Sequence, residues 1–212
     1  MKLLIIDTTK PTAFIVAKVD EESFVKIIPD TQKHSEELLN GIDYILSSAG
    51  VTISNFDAVA AITGPGSFTG IRIGMSTVKA FACAYKNLKV LSATNFDILK
   101  SYVKNGTIVL KNTSTACYMA KVKNSKIIET NIVNYEDVSA QSEGKVFAIE
   151  QEHLNNVLSY INLNTITNYE KLLEDYFVNE FNKKNFVALN NFSPYYMQLS
   201  QAERELKDKN ND

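Results

Sequence analysis

The order of apolar patterns in this chain predicts an α/β fold of two related lobes, each a mixed sheet flanked by helices. Three observations carry that expectation. The first hundred or so residues read strand, strand, strand, helix, strand, helix, strand, helix. A similar meander followed by mixed elements restarts after Gly106. A glycine-rich corner, Gly64-Pro65-Gly66-Ser67-Phe68-Thr69-Gly70, joins a buried strand to an apolar helix.

Leu3-Leu4-Ile5-Ile6 is a continuous apolar run that ends in Asp7-Thr8-Thr9, which reads as a buried strand with a polar end. Residues 13–19 and 23–28 are two more β-rich runs split by Asp20-Glu21-Glu22, completing a meander. A helix is predicted over 35–49, since Leu38, Leu39, Ile42, Ile45, Leu46 and Ala49 recur at helical spacing, Glu36 and Glu37 suit its first turn, and Gly50 ends it. His34, just before it, reads as a capping or hydrogen-bonding residue. A strand over 57–63 leads into the corner, and a helix over 71–85 leaves it. Ile71, Met75, Val78 and Ala82 make that helix's apolar stripe, with Gly74, Ser76 and Ala80 small. A strand over 89–92 and a helix over 95–103, capped by Thr94 or Asn95, follow.

The second set comprises strands over 107–110, 116–122, 126–133 and 145–150 and a helix over 169–181 with Leu172, Leu173, Tyr176 and Phe177 inward. Ser200 and Glu203 have capping-box spacing for a last helix, and 209–212 are expected to fray. These patterns divide the chain into a first lobe, 1–104, a smaller second lobe, 105–190, and a C-terminal segment, 191–212, that returns to the first lobe.

Composition narrows the function classes. The 212 residues are 45% hydrophobic, enough for a full core, and no run reaches the ~18 apolar residues of a membrane span, so a soluble cytoplasmic protein is expected. With 22 Lys and Arg against 24 Asp and Glu, the net charge is −2, which is not the footprint of a chain that grips nucleic acid alone. Lys121, Lys123 and Lys126 form a small basic strand pair that could contribute to tRNA contact within a complex, and the favoured reading is an ordinary solvated edge, where lysines also discourage edge pairing. Cys83 and Cys117 are expected to be buried and reduced. Only two histidines exist, His34 and His153, far apart, so no metal pair at helical spacing is available. No nucleophile–base pair offers a peptidase.

The corner admits two readings. Its glycines allow close backbone approach, and the free N–H groups at a turn and a helix start make an anion-binding place. Yet it fits neither standard phosphate-loop spacing. Asp7, Thr9, Gly64, Gly66, Ser67, Gly70 and Arg72 therefore read either as a phosphate or ligand corner, vestigial or in use, or as a purely structural turn in which Asp7 caps its own loop.

Leu4-Ile5-Ile6-Asp7-Thr8-Thr9, His34-Ser35-Glu36-Glu37-Leu38-Leu39, the run from Gly64 through Ile71-Arg72-Ile73-Gly74, and Pro194-Tyr195-Tyr196 with Ser200-Gln201-Ala202-Glu203 resemble the TsaB (YeaZ) family in order and spacing. The middle of the chain departs from that pattern: Lys111-Asn112-Thr113-Ser114-Thr115 stands where the family has an Asp-Ala-Arg type strand. The resemblance implies an actin-like fold of the sugar-kinase and Hsp70 kind. It implies a non-catalytic subunit of the complex that makes threonylcarbamoyladenosine beside the tRNA anticodon. The implied partners are a catalytic, metal-bearing TsaD-type paralogue and a small TsaE-type ATPase, with a homodimer when the paralogue is missing and tRNA met only through the complex. No cofactor is expected. Of the 8 glycines, six lie at or before Gly74, so half of an actin-like nucleotide clamp is missing. An actin-like phosphotransferase using Asp7, Thr9 and the corner on ATP–Mg is the alternative.

In the family the first-lobe helices contact the paralogue. The matching residues here are Leu38, Leu39, Ile42, Ile45, Ile71, Gly74, Met75 and Val78, to be divided between core and interface. Gly74→Arg is expected to abolish partner binding with the lobe still folded.

Overall fold

In the computed structural model, residues 1–149 and 154–198 are described. The first sheet grows from β1 (Lys2–Asp7), whose side chains are apolar on both faces because it lies at the sheet's centre. β2 (Ala13–Val19) and β3 (Glu22–Ile28) add to it antiparallel on one side. β4 (Ala58–Ile62) and β5 (Lys89–Ala93) add parallel on the other, giving the order β3-β2-β1-β4-β5.

The second sheet repeats this plan. β6 (Gly106–Lys111), β7 (Ala116–Lys123) and β8 (Lys126–Asn134) form the antiparallel meander, and β9 (Val146–Ala148) and β10 (Leu163–Thr165) lie parallel, in the order β10-β9-β6-β7-β8. Each lobe is thus a meander extended beyond its first strand by two parallel strands. β10 was not expected, because three residues are too few to show a period.

α1 (His34–Ala49) and α2 (Phe68–Ala84) cover one face of the first sheet. There Leu38, Ile42, Ile45, Ile71, Met75 and Val78 pack on Leu4, Ile6, Ile15 and Val59. α2 begins three residues earlier than its apolar stripe, since Ser67 Oγ accepts from Gly70 N at 3.1 Å and sets the start. α3 (Asn95–Leu99) stops short of the expected end at 103; Thr94 is its cap, in a capping box with Asp97.

The domain division needs a correction at α5 (Tyr169–Asn182). This helix, expected in the second lobe, lies on the first sheet against β1, β2, β5 and α3. Tyr169, Leu173 and Phe177, one turn apart, enter the core of Leu3, Ile5, Phe14 and Val16, and Tyr169 meets Phe14 edge-on at 5.1 Å. Leu172 and Tyr176, expected inward, are only partly buried. The same core continues into Leu110, Tyr118, Ala120 and Val122 of the second sheet, so one apolar mass joins the two lobes. The outer face of the second sheet has no long helix among the described residues; α4 (Val138–Gln141) and the turns holding Leu154 and Leu158 cover it.

From α5 the chain returns along the first lobe as a strap. Val187 N donates to Val90 O at 2.8 Å, Phe192 is buried, and Tyr195 N donates to Thr63 O at 2.8 Å. Gln198 then crosses to the second lobe, exchanging amide hydrogen bonds with Asn112 at 3.1 and 3.3 Å. The end of the strand expected over 145–150, the Ser200–Glu203 capping box and the frayed end lie wholly or partly outside the described residues. Among the described residues no helix is long and apolar enough to cross a membrane. Cys117 is buried as expected, but Cys83 is exposed, because it falls on the outer side of α2 from the Met75–Val78–Ala82 stripe.

Candidate functional site

The corner is built around the end of β1. Asp7 is fully buried, and its Oδ1 accepts from Thr9 N at 2.9 Å and Thr9 Oγ1 at 2.6 Å, an Asx-turn. Its Oδ2 is paired with the Lys10 ammonium and lies 2.8 Å from Tyr169 OH. Asn95 closes the group: its Nδ2 donates to Thr9 Oγ1 and to Pro65 O, both at 2.8 Å, and its Oδ1 accepts from Lys10 Nζ at 3.2 Å. The Lys10 ammonium also stands 4.1 Å from the centre of the Tyr169 ring, a cation–π contact. Burial pushes the Asp7 carboxyl upward, but the charge of Lys10 and the hydrogen bonds from Lys10 and Thr9 outweigh it and hold the group below the usual carboxylate range.

Lys10, Asn95 and Tyr169 were missed by sequence reasoning. Lys10 sits three residues after Asp7, which was a usable signal. Asn95 was read as a helix cap, and Tyr169 is 162 positions from Asp7, beyond any local pattern.

The glycines of the corner face protein backbone. A Cβ on Gly66 would lie 2.2 Å from Thr9 O, one on Gly70 1.9 Å from Thr8 O, and one on Gly64 2.4 Å from Tyr195 O. Ser67 N donates to Thr9 O at 2.8 Å, and Thr8 Oγ1 to Gly70 O at 2.6 Å. The close approach that glycine allows is therefore used by the β1–β2 loop and the strap. Arg72 points outward, where its Nε donates to Tyr196 OH at 3.0 Å, and the Tyr196 ring stacks on Phe68 at 4.5 Å. A divalent cation at Asp7 would have to displace the Lys10 ammonium, so these residues do not fit a metal–phosphate group as they stand.

Between the lobes lies a cleft of about 490 Å³, lined by Lys10, His34 and Ser67 on one side and Leu110, Asn112 and Ile149 on the other. His34 Nε2 donates to Pro11 O at 2.8 Å, a hydrogen-bonding role. Among the described residues no group of three or more His, Cys, Asp or Glu could hold a metal ion, and His153 lies outside them.

The interface residues require a correction. Leu38, Ile42, Ile45, Ile71, Met75 and Val78 are at most 4% exposed, and Gly74 is buried, so all seven belong to the core of the first lobe. They lie on the helix faces that meet the sheet, where apolar periodicity puts them. Leu39, 59% exposed, alone of the eight can meet a partner. A Cβ on Gly74 would stand 2.6 Å from Thr8 Oγ1, so Gly74→Arg would break the α2–β1 packing itself rather than spare the lobe.

The family described as TsaD, tRNA N6-adenosine threonylcarbamoyltransferase, matches residues 27–92. An uncharacterized protein of Mycobacterium tuberculosis is 32% identical over 111 residues, 51% of this chain and 52% of that protein. The TsaB protein of Escherichia coli, named for tRNA threonylcarbamoyladenosine biosynthesis, is 29% identical over 82 residues, 39% of this chain and 36% of its own length. The chain thus spans about half the length of the mycobacterial relatives it matches, and less of the E. coli one. In structure it is similar to YeaZ from Pseudomonas aeruginosa, with a TM-score of 0.73 at 18% identity over 92% of this chain and 99% of that one. The AlfA filament bound to AMPPNP aligns at a TM-score of 0.50 and 11% identity over 86% and 98%. The fold is accordingly actin-like, and the chain resembles the TsaB (YeaZ) family in both sequence and structure.

Proposed function

We propose that this chain is a TsaB-type subunit: a non-catalytic scaffold that binds and activates a TsaD-type paralogue in making threonylcarbamoyladenosine in tRNA. The observation that carries the non-catalytic reading is the Asp7 site. Its carboxylate is neutralised by Lys10 and enclosed by Thr9, Asn95 and Tyr169, and the neighbouring glycines are packed by the chain's own backbone. Groups that could hold a metal and phosphates are spent on internal packing. The sequence likeness to E. coli TsaB and the YeaZ-like fold along nearly the whole chain support the assignment.

The contact surface on this reading is the outer side of α2 with the exposed Leu39 of α1. Ser76, Lys79, Ala80 and Cys83 are exposed along α2, and the small residues among them permit close helix–helix approach. The same surface would serve a homodimer when the paralogue is absent. A TsaE-type ATPase completes the complex, tRNA is met through it, and no cofactor is bound by this chain. A cytoplasmic location follows from that role.

The test is an affinity pull-down of the tagged chain from its own cell's lysate, with and without ATP, read by mass spectrometry. A larger paralogue bearing two histidines one helical turn apart, joined by a small ATPase when ATP is present, is the expected catch. Recovery of the chain alone, with ATP turnover by the purified protein, would put the actin-like phosphotransferase first. The interlobe cleft, beside the start of α2, is what favours that second reading.

A further inference from the structure

Four exposed lysines gather at one end of the second sheet. Lys123 and Lys126 stand directly opposite each other across the β7–β8 turn, whose Asn124 and Ser125 have φ of 51° and 57°. Beside them, Lys104 O accepts from Ser125 N at 2.9 Å, and Asn105 Oδ1 accepts from Asn124 N at 3.0 Å. Next along, Lys145 O accepts from Thr107 N at 2.9 Å. One lysine therefore lies at the end of each of the adjacent strands β8, β7, β6 and β9. At about 4.8 Å per strand the row is roughly 14 Å long.

None of the four has an ion-pair partner among the described residues. Glu129 and Glu143, the acids beside the row, are taken by Lys121 at 2.9 and 3.5 Å, and Asp97 is taken by Lys100 at 2.5 Å. Like charges directly opposed on a sheet are destabilising. Protection of a sheet edge accounts for Lys126 on β8, but β6, β7 and β9 are interior strands. An open aromatic ring adjoins the row: Tyr102 is 45% exposed and edge-on to Phe147 at 6.3 Å, and Phe147 in turn lies against Gly106.

We propose that this sheet end is a phosphate-backbone contact for RNA. A row of lysines on flexible stems matches a string of phosphates spaced ~3.4 Å along a strand's axis, about four of them here. The neighbouring tyrosine selects RNA over an acidic protein, because an unpaired base can stack on it. RNA as the polyanion rests on the function proposed above, with one change, that this chain touches RNA itself and not only through its partners; the lysine row does not rest on it. Lys121, expected on a solvated edge, instead lies on the interior strand β7, 16% exposed and held by Glu129 and Glu143, and stays a structural residue.

The test uses the full-length protein and a fluorescein-labelled RNA hairpin with an unpaired loop, read by anisotropy. Four phosphate contacts predict an affinity that falls roughly 50- to 150-fold between about 50 and 200 mM salt. Replacing Lys104, Lys123, Lys126 and Lys145 together by Gln is expected to weaken binding at low salt by about 10-fold or more and to flatten that dependence. Should the fourfold variant melt early, Lys123→Gln with Lys126→Gln alone should halve the salt slope. No RNA binding at low salt, or an unchanged affinity and slope in the folded variant, overturns the proposal. Poly-L-glutamate bound as tightly as the RNA, with Tyr102→Ala without effect, overturns it in favour of an acidic protein. A captured paralogue without RNA binding counts against this surface alone, and RNA binding without a captured paralogue counts against the earlier reading alone.

Discussion

Lys10 is 7% exposed and its partner Asp7 is fully buried, so neither charge has water to fall back on. Removing one member of such a pair strands the other, at a cost of about 3–5 kcal/mol, whereas removing both costs far less. Lys10→Met is therefore expected to destabilise the protein by about that amount in urea unfolding at neutral pH, and Asp7→Asn added to it should recover most of the loss. The pH dependence has a definite sign. In the native protein Asp7 is held below its ordinary value, so its contribution is present above that value and fades as the pH falls through the lowered one. In Lys10→Met, burial acts on Asp7 without its counter-charge and raises the carboxyl, so the penalty grows as pH rises through the raised value and shrinks in acid. The stability gap between the two proteins should thus close on acidification. The cysteines divide as sharply. Burial pushes the Cys117 thiol up to about 12, whereas Cys83 is open to solvent. Ellman's reagent is expected to titrate one thiol rapidly in the native protein and the second only after unfolding.

At the level of elements, α2 is held by what its glycines admit. Gly70 sits under Thr8 O and Gly74 under the Thr8 hydroxyl, so the β1–β2 loop and the first two turns of α2 share one packed layer. Gly70→Ala would place a carbon 1.9 Å from a backbone oxygen, and neither strand nor helix can yield cheaply. A loss of ~3 kcal/mol or more in denaturant unfolding is expected. The outer side of α2 carries no such demand. On the function proposed above, Ala80→Arg, at an exposed helical position suited to Arg, should leave the melting temperature within a few degrees while abolishing capture of a TsaD-type paralogue. Paralogue capture at undiminished yield would remove α2 from the contact surface.

Across the whole molecule, the two lobes are joined by α5 and by the strap. Leu3, Ile5, Phe14 and Val16 face α5, which comes from the far end of the chain, and the shared core runs on into Leu110, Tyr118 and Val122. A fragment of residues 1–104 would leave that face of the first sheet bare. It is expected to lack a dispersed amide NMR spectrum, despite holding five strands of one sheet. The strap adds smaller increments. Tyr196→Ala removes a ring stacked on Phe68 and an acceptor for Arg72, and about 1 kcal/mol is the expected loss.

The sequence by itself determined the strand and helix order of the first lobe, the repeated meander and the apolar stripes of α1 and α2, because these rest on periods of two and 3.6 residues that neighbours along the chain display. Leu38, Ile42, Met75 and Val78 could be read as one-sided apolar stripes; that their partner is the sheet rather than another subunit could not. Asp7 and the glycine corner were visible as special residues, but their use was open, since it depends on Asn95 and Tyr169, distant in sequence and unremarkable in type. Only the tertiary structure decided that Lys10 neutralises Asp7, that Thr8, Thr9 and Tyr195 occupy the space beside the glycines, and that lysines from four strands share one sheet end. Each of these is a meeting of segments far apart along the chain, and it is set by how the sheets and α5 pack, which no local pattern records.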